Sequence, residues 1–127
     1  MHCGRKVFMA LVLCTGVDPV LMKTRQLILQ QAGHEVVTAM DEDAVKIACQ
    51  QRLFDVAVIG QAASASKKRA IVALIRKHCA STKVLELYRV STGRTLEDAD
   101  AWFEVPADVP QELAHHVATL AAKTRKQ

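Results

Sequence analysis

Phe54-Asp55-Val56-Ala57-Val58-Ile59-Gly60-Gln61 contains an apolar run of strand length that stops at a glycine. The small-residue stretch Ala62-Ala63-Ser64-Ala65-Ser66 follows, with Ser64 and Ser66 suited to cap a helix behind it. A strand that is apolar at every position has to be covered on both faces, as in the centre of a parallel sheet packed between helices. In sheets of that kind, ligands collect at the carboxyl ends of the strands. Gly60 holds that position here and brings no side chain to it.

The flanking segments fit the same architecture. Val7 to Cys14 reads as a first strand. Asp18 then reads as an N-cap with Pro19 at the first helical position. Val20, Leu21, Thr24, Leu27, Ile28 and Gln31 follow at helical spacing, and Gly33 closes that helix. Glu35 to Ala39 is a second strand. Asp41 caps a second helix with Ala44, Ile47, Ala48 and Leu53 inward and Lys46, Gln50 and Arg52 outward. Beyond Gln61, a third helix sets Ala70, Ile71, Leu74, Ile75 and His78 on one face and Lys67, Lys68, Arg76 and Lys77 on the other. Lys83 to Tyr88 is a fourth strand. From Arg89 to Asp100 the helical pattern fails, and Ser91-Thr92-Gly93-Arg94-Thr95 is loop chemistry. Trp102 to Val105 is a fifth strand ended by Pro106. Pro110 opens a last helix with Leu113, Ala114, Val117, Leu120 and Ala121 inward. Strands alternating with helices predict one α/β domain over 1–127, folded across 6–122, with a parallel sheet covered on both faces and a fraying polar tail at 123–127.

Composition removes several function classes. Half of the 127 residues are hydrophobic and 24% are charged, which suits a domain with a real core and not a disordered chain. No apolar run approaches the roughly 18 residues of a membrane span. Met1 to Lys6 is basic, but the apolar stretch after it ends in Thr15-Gly16-Val17-Asp18-Pro19 without a small-x-small cleavage site, so a cytoplasmic location is expected. Cys3, Cys14, Cys49 and Cys79 lie far apart with no Cys-x-x-Cys pair, and Cys14 and Cys49 fall on apolar faces. The net charge of +4 is mild, and the clusters Lys67-Lys68-Arg69, Arg76-Lys77 and Lys123 to Lys126 read as solvated helix faces, not as a nucleic-acid surface. His115 and His116 point to different sides of their helix, and His78-Cys79 has no second pair at zinc spacing, so no metal site is expected. The chain has no glycine-rich phosphate loop, and no His or acid stands by sequence to activate Ser64 or Ser66. Neither a catalytic residue nor a cofactor is expected.

The order and spacing of these segments resemble the receiver domain of two-component response regulators, over nearly the whole chain. Gly16-Val17-Asp18-Pro19 stands where receivers read Asp-Asp-Glu-Pro, and Ala32 to Val36 fits the turn into their second strand. Phe54 to Gly60 is similar to their Pro-Asp-Leu-Val-Leu-Leu-Asp, Trp102 to Pro106 to their Tyr-Leu-x-Lys-Pro, and Asp108 to Leu113 to the start of their last helix. The resemblance implies a doubly wound, CheY-like sheet of order 2-1-3-4-5, here with the fourth helix shortened or lost. It also implies a cis bond before Pro106.

The same resemblance assigns roles that this chain does not fill. Gly60 takes the place of the phosphoacceptor Asp. Gly16 and Val17 take the places of the acidic pair that holds Mg²⁺. Asp18 matches the accessory acid, Tyr88 the Ser/Thr switch, and Val105 the Lys that neutralises the phosphoryl group. Phosphoryl transfer is mostly positioning and electrostatics, so loss of nucleophile, metal ligands and Lys together implies a pseudo-receiver. The expectation is a non-enzymatic signalling domain of the phosphorelay type that binds a protein, a histidine kinase or another regulator, or dimerises through its fourth and fifth strands. Tyr88, Arg89, Arg94 and Trp102 are its expected partner-binding residues. The alternative is a sensor of a small ligand or anion in the vacated acid pocket. A third, weaker reading moves the phosphoacceptor to Asp55 or Asp18.

Overall fold

Three of the four helices begin with the same chemistry. The Asp18 carboxylate accepts from Val20 N and Leu21 N at 2.9 and 3.3 Å, Asp41 accepts from Ala44 N at 2.8 Å, and Ser64 Oγ accepts from Lys67 N at 3.2 Å. Each satisfies amides that the first turn leaves without partners. These caps open α1 (Pro19–Gln31), α2 (Glu42–Gln51) and α3 (Ala65–His78), and α4 (Gln111–Arg125) follows Pro110. The computed structural model describes residues 9–125. Its strands are β1 (Leu11–Thr15), β2 (Glu35–Ala39), β3 (Val56–Ile59), β4 (Lys83–Tyr88) and β5 (Ala101–Glu104). All pair in parallel in the order β2-β1-β3-β4-β5. This is the doubly wound CheY-like sheet, with four helices instead of five among the described residues. Val7 and Phe8, expected in the first strand, lie outside the described residues, and β1 runs on to Thr15.

The strands alternate their side chains between two cores. Val12, Cys14, Val56, Val58, Leu85 and Leu87 face Met22 and Leu29 of α1 and the Leu113-Val117-Leu120 stripe of α4. Leu13, Ala57, Ile59 and Val84 face Val45 and Cys49 of α2 and Ile71, Val72 and Ile75 of α3. The inward face expected for α4 is the buried one. His34 ties the first core together: its Nδ1 accepts from Ala10 N at 3.0 Å, which leaves Nε2–H to face Ala114 O at 3.4 Å.

Three helix faces differ from their expected registers. On α1 the buried residues are Met22, Arg25 and Leu29, while Val20 is 73% exposed and Leu27 is 46% exposed. That helix carries apolar residues on several sides, so periodicity alone admits more than one stripe, and packing against β1 and β3 selects one. On α2, Val45, Ala48 and Cys49 are buried, and Ile47 and Leu53 lie outside. On α3 the correction is chemical. Lys68 is buried because Glu86 of β4 gives its charge a partner at 2.7 Å. At the chain's end α4 continues to Arg125, past the expected boundary at 122. β5 starts and stops one residue earlier than expected, although Val105 N still donates to Tyr88 O at 2.8 Å, and the Val105–Pro106 bond is cis.

Between β4 and β5 no helix forms. Gly93, at φ +72°, closes a turn in which its N–H donates to Arg89 O at 2.8 Å, a conformation that favours glycine. The segment after it is held by side chains instead of by a helical ladder. Glu86 accepts from Thr95 N and Leu96 N at 3.0 and 2.8 Å, Arg76 donates to Asp98 O at 2.8 Å, and Asp100 accepts from Val84 N at 2.7 Å. Leu96 and Ala99 are buried in the second core.

Cys14, Cys49 and Cys79 are buried free thiols. Burial pushes the Cys14 thiol up to about 12, against a smaller lowering by Arg25, and burial followed by a hydrogen bond with Cys79 pushes Cys49 up to about 12. A thiol whose pKa is raised by folding lends stability that is complete below its unfolded value and is lost as pH rises through the folded one. The contribution of these two thiols is therefore expected to be constant below pH 9.0 and to be lost between 9.0 and about 12. Urea titrations across that range check this, and Cys14→Ala is expected to shallow the decline. In a Cys3→Ser background, native protein is expected to react with a thiol reagent far more slowly than unfolded protein.

Candidate functional site

Gly16 and Gly60 follow directly on β1 and β3, so the two glycines meet where those strands end. Gly60 N donates to Thr15 O at 3.0 Å. A Cβ placed on Gly60 would lie 3.0 Å from Thr15 O, 3.1 Å from Arg25 Nη1 and 3.4 Å from Gly16 Cα. A Cβ on Gly16 would lie 3.0 Å from Met22 Sδ. The space that side chains at these strand ends would occupy is filled from α1, by Met22 and Arg25.

Arg25 is the unexpected member of this site. It is 7% exposed, and its Nη2 donates to the Gln61 side-chain carbonyl. Among the described residues no carboxylate lies within ion-pair distance of it. Burial lowers its pKa, Cys14 and Asp18 oppose that, and the nearby Arg89 guanidinium adds to it. A guanidinium stays protonated in proteins, so the site carries a positive charge at its centre. A receiver's acidic cluster would carry the opposite sign.

The other expected positions fall around this centre or away from it. Val17 is 41% exposed and turns outward, and Asp18 is occupied as the α1 cap. Val105 lines the same cavity as Arg25 and Gln61, a hollow of about 220 Å³ between α1 and the β5–α4 connection. Asp55 precedes β3 and accepts from Leu11 N at 2.8 Å, at the amino end of the sheet. Gly60 is five positions further along the chain, roughly 16 Å of strand. Of the acids named in the third reading, Asp55 thus lies at the far end of β3 from Gly60 and Asp18 caps α1. Among the described residues, this strand end brings together Gly16, Gly60, Met22, Arg25 and Gln61, and no group of three or more His, Cys, Asp or Glu side chains gathers to hold a metal ion.

Tyr88 at the end of β4, Arg94 in the loop after it and Trp102 near the start of β5 come together. The Arg94 guanidinium carbon sits 5.7 Å from the Tyr88 ring centre and 4.6 Å from that of Trp102, within cation–π range of both. Trp102 Nε1 donates to Leu96 O at 2.9 Å, so the indole is anchored to the loop. Arg94 is exposed on top of the stack. Arg89 is exposed, and its charge acts on Arg25.

Sequence reasoning missed Arg25, Gln61 and the Lys68–Glu86 pair. The available signal for Arg25 was its place in the Met22-x-x-Arg25-x-x-x-Leu29 stripe, a charge at core spacing. For Glu86 it was an acid inside the otherwise apolar strand Val84-Leu85-Glu86-Leu87.

No family model and no curated protein sequence matches the chain. Solved structures do match. A response regulator receiver domain from Francisella aligns at a TM-score of 0.74 and 18% identity, covering 91% of this chain and 98% of that one. A CheY-like response regulator receiver domain protein from Methanospirillum hungatei aligns at 0.78 with 12% identity, covering 92% and 98%. The signal receiver domain of a histidine kinase from Syntrophus aciditrophicus aligns at 0.77 with 16% identity, covering 93% and 94%. The chain has the fold of CheY-like receiver domains, at a sequence distance where fold alone is shared.

Proposed function

We propose that this chain is a receiver-like signalling domain of the two-component type that is not phosphorylated and acts in the cytoplasm by binding a protein partner, a histidine kinase or another regulator. One observation carries the loss of phosphoryl chemistry: a buried guanidinium sits against the glycine that stands in the phosphoacceptor's place. Mg²⁺ needs oxygen ligands there and would be repelled by that charge. On this reading the chain is not an enzyme.

The partner surface is the exposed Arg94 with the two rings beneath it. Arg, Tyr and Trp are the side chains enriched at binding hot spots. Holding Arg94 over the two rings also reduces the ordering cost of binding.

Incubation with Mg²⁺ and acetyl phosphate is expected to leave the mass unchanged, and beryllofluoride is expected to leave the amide spectrum unchanged. A phosphoryl adduct on any residue would sink the reading. In titrations with candidate kinases and regulators, Arg94→Ala is expected to weaken the productive complex by about 2 kcal/mol or more, about thirtyfold in Kd. Binding to none of them would count decisively against a partner role.

A further inference from the structure

We propose that the cavity between α1 and the β5–α4 connection is a binding site for a small organic monocarboxylate, whose carboxylate is held by Arg25 with Gln61 beside it. The inference does not rest on the protein-partner reading, since it concerns a different face of the fold.

Three observations converge. Arg25 is more than nine-tenths buried, and Gln61 Oε1, a neutral acceptor, is its hydrogen-bond partner. A guanidinium presents five donors in a fork that matches a carboxylate. Leaving a buried charge without a counter-charge is costly, and an anion in reach removes that cost. The charge also borders a hollow of about 220 Å³, walled by Leu21, Ile28, Phe103, Val105 and Leu113 around the polar Arg25 and Gln61. This is the usual composition of a ligand site, apolar walls with few polar groups to fix orientation.

The same features select the ligand class. A volume below the roughly 300–1,000 Å³ of drug-sized sites restricts the occupant to a small molecule. Apolar walls exclude inorganic phosphate as the best fit, because only one part of the lining answers charge. A short aliphatic or single-ring acid places its anion on Arg25 and its body against Phe103 and Leu113.

Hexanoate and benzoate test this, with hexanamide and benzamide as neutral isosteres and inorganic phosphate as a plain anion. At ten times Kd, an acid that binds the folded state is expected to raise Tm by about 5 °C. Arg25→Gln is expected to weaken binding about 10- to 100-fold, the scale of a charge-assisted hydrogen-bond pair. Thr24→Trp is the second variant. Thr24 lines the cavity from the exposed side of α1, so an indole there blocks entry without disturbing Arg25 or the core. It is expected to fold normally and to lose the acid-induced shift. The proposal is overturned by no shift with either acid at millimolar concentration, by equal shifts with the amides, or by shifts that survive Thr24→Trp. A phosphate shift larger than that of either acid also overturns it, since that marks a simple anion site.

Discussion

Glu86→Ala is expected to destabilise the domain by about 3–5 kcal/mol, the cost of removing one partner from a buried ion pair. Glu86 is wholly buried and Lys68 is 3% exposed. The carboxylate does more than neutralise one lysine. It accepts from Lys68 Nζ, Thr95 N and Leu96 N, while Lys68 Nζ also donates to Leu87 O at 3.1 Å. The substitution therefore leaves a buried ammonium without a counter-charge and two loop amides without an acceptor. Equilibrium urea unfolding reads the global cost, and amide exchange at Thr95 and Leu96 reads the local one. Exchange at those two amides is expected to accelerate more than at Val58 in β3. Pairing Glu86→Leu with Lys68→Met removes both charges and is expected to recover part of the loss, but not all of it, because the two amides remain orphaned. A cost below about 1 kcal/mol for Glu86→Ala would show that water reaches the pair and that the loop is held by other contacts.

This network accounts for how the sheet tolerates a missing helix. A helix between β4 and β5 would satisfy its own backbone and cover the second core with an apolar stripe. Residues 89–100 contain too few apolar side chains for that, only Leu96 and Ala99 being buried there. One carboxylate from β4 replaces part of the lost ladder, and Arg76 and Asp100 pin the far end through Asp98 O and Val84 N. Trp102 then closes the loop through its indole N–H. The Tyr88–Arg94–Trp102 stack proposed as the partner surface thus stands on Glu86. Loss of Glu86 is expected to weaken partner binding as well as stability.

Much of the architecture was legible because it is written in local chemistry. Asp18, Asp41 and Ser64 announce helix starts by their capping groups, Gly33 announces an end, and four apolar residues in a row announce β3. β4 was read to the residue as well, in spite of the acid within it. Helix faces were less legible, because α1 and α2 carry apolar residues on more than one side and only the sheet they meet decides between stripes. The charged core members were illegible in principle from periodicity. Lys68 and Glu86 are 18 residues apart in sequence, and each looks like a surface residue until the other is beside it. Arg25 was hidden differently. Glycines at 16 and 60 mark the side chains that the strand ends lack, and a missing side chain carries no trace in the sequence of what packs in its place. The group that fills this volume comes from α1, about two helical turns beyond its cap.

Arg25→Met is expected to stabilise the protein by about 1–3 kcal/mol, opposite in sign to most core substitutions. Arg25 has no ion-pair partner among the described residues. Its charge is taken out of water, as its lowered pKa reflects, and the nearest opposing carboxylate, Asp18, is committed to the α1 cap. Methionine has a similar reach, is apolar and adapts to irregular space beside Met22 and Leu29. Gln61, which loses its donor, is only half-buried and can turn to water. Arg25→Ala is a useful contrast, since the void it leaves offsets the relief of the charge and is expected to bring the change near zero or below. Thermal and urea unfolding of the two variants separate charge from volume. If Arg25→Met lowers stability by more than about 1 kcal/mol, the guanidinium is satisfied within the fold and has no unmet demand for an anion. If stability rises while the Tm shift with hexanoate disappears, the chain keeps a destabilising cation in its core for what that cation binds, the trade between stability and function expected of a site.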